Sequence, residues 1–211
     1  IYKRKPFEVA KITGEMVQAS FSRTAESAVA LDGCSPKEVS LLSLTIYCHI
    51  ATLLDQIEAG APWPRTSTHA RVVLLEKIGA QVGQVMSYMP LTITSPLYRC
   101  WGTMRLECMS PWIREWALPE MHAGIPEMGA VDAWHEVLTT LEDHKLNGEY
   151  FVGGVADIAK QIDQIRRDLV YRTCNVAGMP TGVLQAYEAY LENLKVHNCV
   201  AGGMGTPTVR I

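Results

Sequence analysis

The chain of 211 residues lacks any pair of cysteines at CxxC spacing and holds only three phenylalanines. It also lacks an apolar run of the roughly 20 residues that cross a bilayer. Its six cysteines, Cys34, Cys48, Cys100, Cys108, Cys174 and Cys199, are scattered without a signal peptide. That usage argues against a disulfide framework and points to reduced thiols inside the cell, in a nuclear or cytoplasmic setting. Cys48 with His49, and His197 with Cys199, are close pairs, but neither brings the second pair that a tetrahedral zinc site requires. The longest uncharged stretch, Ile78 to Tyr98, contains Gln81, Gln84, Pro90 and Pro96 and is too polar to span a membrane. There is no nucleophile elbow, internal repeat or low-complexity segment. A cationic excess is missing too: 19 Lys and Arg stand against 22 Asp and Glu, a net charge of -3. A protein coated with nucleic acid over its whole surface is thereby disfavoured, whereas a local basic face is not.

What is present supports a folded core, for 48% of the residues are apolar and the length suits one large domain or two small ones. The basic start "YKRKP" reads as a solvated tail. Ser35, Pro36 and Glu38 form a capping-box pattern that predicts a helix to about Glu58, ended by Gly60. Its core stripe is Val39, Leu42, Ile46, Ile50, Leu53 and Ile57, with His49 one residue off it as a packed or half-exposed histidine. Val72 to Leu75 and "PLTIT" predict two strands of a hairpin. Leu97, Trp101, Met104 and Cys108 repeat at helical spacing from Pro96, and Pro111 is expected to break that helix. Trp101, Trp112, Trp116 and Trp134 fit core packing better than base stacking. "AVDAWHEVLTTLEDHK" is helical. Tyr150 to Ala156 is expected as a buried strand, followed by a helix through Ile158, Ile162, Ile165, Leu169 and Val176, a stop at "AGMP" and a further helix from "PTGVLQAY".

Charge is unevenly placed. Residues 60–118 hold Arg65, Arg71, Lys77, Arg99, Arg105 and Arg114 against Glu76, Glu107 and Glu115, a local +3 that leaves -6 elsewhere. Such a segment fits a face that meets phosphates, or an ordinary surface with uneven charge.

Asp157 stands where the apolar run "YFVGGVA" gives way to a helical pattern. A carboxylate there serves as an N-cap, or grips a hard cation at a sheet's end. The surrounding "ADIAKQIDQI" resembles the first palm motif of reverse transcriptases of the non-LTR retrotransposon and group II intron type, in which an aspartate is followed by a lysine and then an aromatic-Asp pair. Four further segments resemble that family in the family's order. They are "ALDGCSPKEV" upstream of the fingers, "VVLLEKIG" as the strand ending in a lysine, "SYMPLTITSPLYRCWGTMR" as the block after it, and "MHAGIPEMGAVDAWHEV" before the palm. Together they cover most of residues 28–178.

The resemblance implies an α+β, helix-rich architecture of fingers and the start of a palm sheet. The segments would be an N-terminal helical part over 1–59, a fingers-like region over 60–145 and a partial palm over 146–211. It implies template-directed nucleotidyl transfer on an RNA/DNA template-primer, with Mg²⁺ held in the complete enzyme by Asp157 and other acids. Lys77 would reach the nucleotide's phosphates, and Ile158 and Ile162 would line its pocket, with the Ile158 carbonyl as a further metal donor. Arg71, Arg99 and Arg105 would touch the nucleic-acid backbone. Departures are Met89 in place of an arginine, Ile162 in place of the aromatic that screens the ribose, and Glu76 in place of a proline before the lysine. The later Pro-Gln-Gly motif and paired aspartates are not in these residues. The chain begins with Ile1 and ends on "TPTVRI", as an excerpt of a longer protein would. Polymerisation by this chain alone is therefore not expected. The alternative is a non-enzymatic scaffold or interaction subunit that reuses the fold, working with other protein subunits. A third possibility, an unrelated helical binding domain, requires that Tyr150 to Ala156 not be a strand.

Overall fold

The computed structural model describes residues 7–79, 81, 84, 87–158, 164–200 and 203–209. It is α+β and helix-rich, with a small mixed sheet. Helix α1 (Gly14–Arg23) is capped by Thr13, whose hydroxyl accepts from the Met16 amide at 3.3 Å. The long helix expected from Ser35 is instead two, α2 (Pro36–Val39) and α3 (Leu44–Glu58). Ser35 makes no capping bond. The Ser40 hydroxyl donates to the Lys37 carbonyl at 2.7 Å, and the Tyr47 hydroxyl to the Val39 carbonyl at 2.7 Å. Hydroxyls that engage carbonyls locally compete with helix propagation. The buried stripe of α3 is Tyr47, Ala51, Leu54 and Ile57, one residue round from the expected one, and Leu42 and Ile46 are exposed. Tyr47 sets the rotation, because its ring is fully buried and stacks on Phe21 at 6.3 Å. His49 is exposed.

A single turn of 3-10 helix (Arg65–Thr68) leads into β1 (His69–Glu76), which pairs antiparallel with β2 (Tyr88–Ile93). The expected hairpin is present, with Arg71 opposite Ile93 and Glu76 opposite Tyr88. Beyond it come α4 (Pro96–Trp116), α5 (Ala130–Leu146), α6 (Arg167–Ala177) and α7 (Thr181–Asn193). Strand β3 (Lys195–Val200) then returns parallel to β1, with β4 (Gly203–Met204) and β5 (Thr208–Val209) antiparallel to it.

Helix α4 does not stop at Pro111. The ring removes one amide donor, but the next two residues, Trp112 and Ile113, are buried, and the Trp112 indole donates to the Ala177 carbonyl at 2.9 Å. Burial of two large side chains outweighs the loss of one backbone bond. Tyr150 to Ala156 is not a strand: Tyr150, Val152 and Val155 are almost wholly exposed. Gly153 and Gly154 weaken a strand there, and with no paired neighbour the backbone groups turn to water. Of the helix expected from Ile158, residues 159–163 lie outside the described residues; Gln164 is helical, and a helix runs over Arg167–Ala177 until Gly178, at φ 90°, ends it.

The chain divides into two compact units, one formed by Glu8–Glu107 with Pro180–Ile211 and one by Ile1–Phe7 with Cys108–Met179. The first holds the sheet. Its core has Trp63, Tyr98, Trp101 and Tyr190 in mutual contact, Tyr98 and Tyr190 stacked at 3.5 Å. The Trp63 indole donates to the Ala186 carbonyl and the Tyr190 hydroxyl to the Ser67 carbonyl. Burial holds the Tyr190 phenol protonated far above its ordinary range. Arg105 is buried and grips Glu58 through Nε and Nη2, both at 2.6 Å, while Nη1 donates to the Ala10 carbonyl at 2.6 Å. The Trp101 indole donates to the same Glu58 at 2.7 Å. Gly182, at the start of α7, lies so close to α3 that a Cβ there would sit 2.8 Å from the Glu58 carbonyl oxygen. In the second unit Met109, Trp112, Ile113 and Met179 are buried, whereas α5 buries no residue and leaves Trp134 64% exposed, against the expectation of core packing for that tryptophan. No helix among the described residues is long and apolar enough to cross a membrane.

Arg105→Ala leaves the Glu58 carboxylate buried without its cation and is expected to cost about 3–5 kcal/mol, read as a fall in the urea midpoint at unchanged slope. Gly182→Ala should cost about 1–3 kcal/mol through the clash with Glu58. Gly102→Ala, in open space on α4, should leave stability unchanged or raise it by up to about 1 kcal/mol in the same denaturation series.

Candidate nucleic-acid interface

The site starts from the period of two along β1. Ala70 and Val72 point to one face and are buried. His69, Arg71, Val73 and Leu75 point to the other, and Lys77 continues that alternation as the hairpin's last cation. The Lys77 amide donates to the Ser87 carbonyl at 2.9 Å, which carries the ladder one residue past the strand. Glu76, which the resemblance put among the phosphates, therefore faces the opposite way from Lys77 and Arg71. Met89 lies opposite Leu75, and 51% of it is exposed.

Arg71 is half-buried, and its Nε has no hydrogen-bond partner among the described residues. Arg99 sits on the first turns of α4 and donates through Nη2 to the Ala28 carbonyl at 2.5 Å. Burial makes its guanidinium easier to deprotonate than usual, an effect Asp32 opposes. Arg105 corrects the sequence reading, because its ion pair with Glu58 withdraws it from any ligand. A cation in a buried bidentate pair has no donor to present to a phosphate without breaking that pair.

Asp157 is exposed and lies in an irregular segment, so it does not project from the end of a sheet. Ile158 beside it is 61% exposed. Ile162 falls outside the described residues. Asp157 and Ile158 belong to one compact unit, and Arg71, Lys77, Arg99 and Arg105 to the other. The structure thus puts Arg71 and Lys77 in step along the hairpin, about 20 Å apart at strand rise. It places Arg99 and Arg105 in protein contacts, and Asp157 in a separate body. An exposed carboxylate suits Mg²⁺ as a single ligand. Among the described residues no three acids, histidines or cysteines gather to hold a metal, so they do not complete a two-ion centre.

Three residues of the same face were missed. Register places Lys195 opposite His69 and His197 opposite Arg71, and paired residues of parallel strands share a side. The His69 and His197 rings stack at 5.2 Å, with Nδ1 of the first 3.0 Å from Nε2 of the second. His197 is 8% exposed, and its Nδ1 lies 3.3 Å from the Gly205 carbonyl. That carbonyl only accepts, so His197 donates to it from Nδ1 and accepts from His69 at Nε2. Burial first, then His197, Lys195 and Arg65, push the proton affinity of His69 below its ordinary value. The alternation in "HARVV" and "KVHNCV" carried this signal, but only strand pairing shows that the two runs are neighbours. A separate cavity of about 590 Å³ opens beside the 3-10 turn, lined by Trp63, Arg65, Gln185 and Asn193 among others.

No family model matches the chain, and no curated protein is significantly similar to it.

Because His69 titrates lower in the folded chain than in the unfolded one, the unfolded state binds more protons just below the ordinary histidine value of about 6.5. The contribution of His69 to stability is then present above that value and is lost as pH falls through the depressed one. Thermal midpoints measured from pH 8 to pH 5 should fall below pH 6.5, and the fall should be shallower in His69→Gln.

Proposed function

We propose that this chain is the fingers and the opening of the palm of a reverse transcriptase, acting on an RNA/DNA template-primer inside the cell. The observation that carries the reading is the β1–β2 hairpin, which presents Arg71 and Lys77 on one face and turns Glu76 to the other. In this reading Lys77 meets the phosphates of the incoming nucleotide, and Arg71 meets the nucleic-acid backbone. Asp157 contributes one Mg²⁺ ligand, with the Ile158 carbonyl beside it, and nucleotidyl transfer belongs to the complete protein, which supplies the remaining acids.

A scaffold that reuses the fold is the second reading. It is favoured by Arg99 and Arg105, which both bond to their own chain, and by Met89 where a phosphate-gripping arginine would stand. The irregular Tyr150 to Ala156 is what an unrelated helical domain would show, but the sheet of β1, β2 and β3 speaks against an all-helical one.

Binding of a labelled RNA/DNA hybrid, followed by anisotropy with and without Mg²⁺, tests these roles. Lys77→Ala should weaken binding by about threefold to tenfold, the effect of one phosphate contact. Asp157→Asn should weaken only the Mg²⁺-dependent part. The chain alone should extend no primer, and the scaffold reading takes over if neither variant changes the affinity.

A further inference from the structure

Parallel pairing of β1 with β3 assembles a face of one sign. His69, Arg71 and Lys77 come from the first strand, Lys195 and His197 from the second. The acid of these strands, Glu76, lies on the other face, and β2 adds Met89, Leu91 and Ile93 to the basic one. Lys77 and Lys195 are exposed, and towards the Lys77 end Leu75, Met89 and Leu91 are 45%, 51% and 44% exposed. The chain as a whole carries -3, so a row of cations with no strand carboxylate on its side is a local arrangement. A strip of exposed apolar side chains next to it discriminates among polyanions. A duplex offers only its phosphates and groove edges, whereas a single strand also offers unstacked bases that apolar surface can cover.

We propose that this face binds the phosphate backbone of single-stranded nucleic acid, and that binding draws a proton onto His69, whose ring lies against that of His197. The inference rests on the nucleic-acid reading above and adds strand β3 and proton uptake to it. In the unbound protein the pair shares one hydrogen at its 3.0 Å contact, His69 donating to His197. A further proton would give the pair a positive charge. The groups facing it are Arg71 on β1, Lys195 and Cys199 on β3, Arg65 from the preceding turn and the Gly205 carbonyl from the chain beyond β4. With cations on three of these positions, that charge is resisted until phosphates arrive to offset it. Proton uptake and strand binding therefore favour each other, and affinity rises as pH falls.

The test is anisotropy of a labelled single-stranded oligonucleotide on the full chain at pH 7.5 and pH 6.0, with calorimetry in two buffers of different ionisation enthalpy to count protons. Binding should tighten by about tenfold between the two pH values and take up about two thirds of a proton on average, as linkage of a single site requires. The double variant His69→Gln with His197→Gln should lose the gain and the uptake, once its far-UV spectrum matches that of the parent. Lys195→Ala, an exposed position, provides a second variant that should weaken binding at both pH values by about threefold to tenfold. Equal parental affinity at both pH values, or a gain that survives in the double variant, overturns the inference and leaves the hairpin reading standing. Absence of binding at either pH overturns both. Competition by a blunt, fully paired duplex as strong as by the single strand, or by polyglutamate as strong as by either, overturns the choice of partner, whereas a template-primer with an unpaired template overhang should compete.

Discussion

A slip of β3 by one residue against β1 would carry Lys195 and His197 to the face of Ala70 and Val72 and bring Val196 to the other, since side chains alternate with a period of two. The native register avoids this because Val196 is buried beside Ala70 and Val72, and a slip would put Lys195 and His197 against those two apolar side chains in its place. Hydrophobic burial on one side of the sheet thus decides the electrostatics of the other. The basic face is a by-product of the core in that sense, and its geometry is as rigid as the core that sets it.

The same unit is tied together by Glu58. Its carboxylate receives Arg105 and the Trp101 indole, and its carbonyl oxygen marks how near α7 approaches α3. A buried ion pair of this kind adds little net stability compared with apolar residues of the same shape, since two charges have been taken out of water. What it does supply is specificity of position. Glu58 ends α3, Arg105 and Trp101 sit on α4, and the Ala10 carbonyl precedes α1, so four points of the chain meet at one polar cluster that tolerates few alternative packings.

Much of the fold was legible because it follows from local rules. The hairpin, α5 and the helix after "AGMP" lie where apolar periodicity, Pro and Gly place them. The misreadings share a cause, in that a nonlocal contact overrode a local signal. Tyr47 rotated the α3 stripe by packing on Phe21, and burial of Trp112 and Ile113 carried α4 through Pro111. Tyr150 to Ala156, apolar enough for a strand, found no strand to pair with. The candidate site divides in the same way. Lys77 and Arg71 were legible as cations on a strand, whereas Arg105 was read as a surface group because its partner, Glu58, is remote in sequence. His69 and His197 are separated by most of the chain, and nothing local announces that they touch.

The turn of Glu76 away from Lys77 has an evolutionary corollary. A pleated strand separates its neighbours into two electrical compartments, so adjacent codons experience unrelated selection. On the Glu76 side, Leu74 and Glu76 itself, which are exposed, are free to acquire or shed acids while the cationic surface stays intact, whereas Ala70 and Val72 are held by the core.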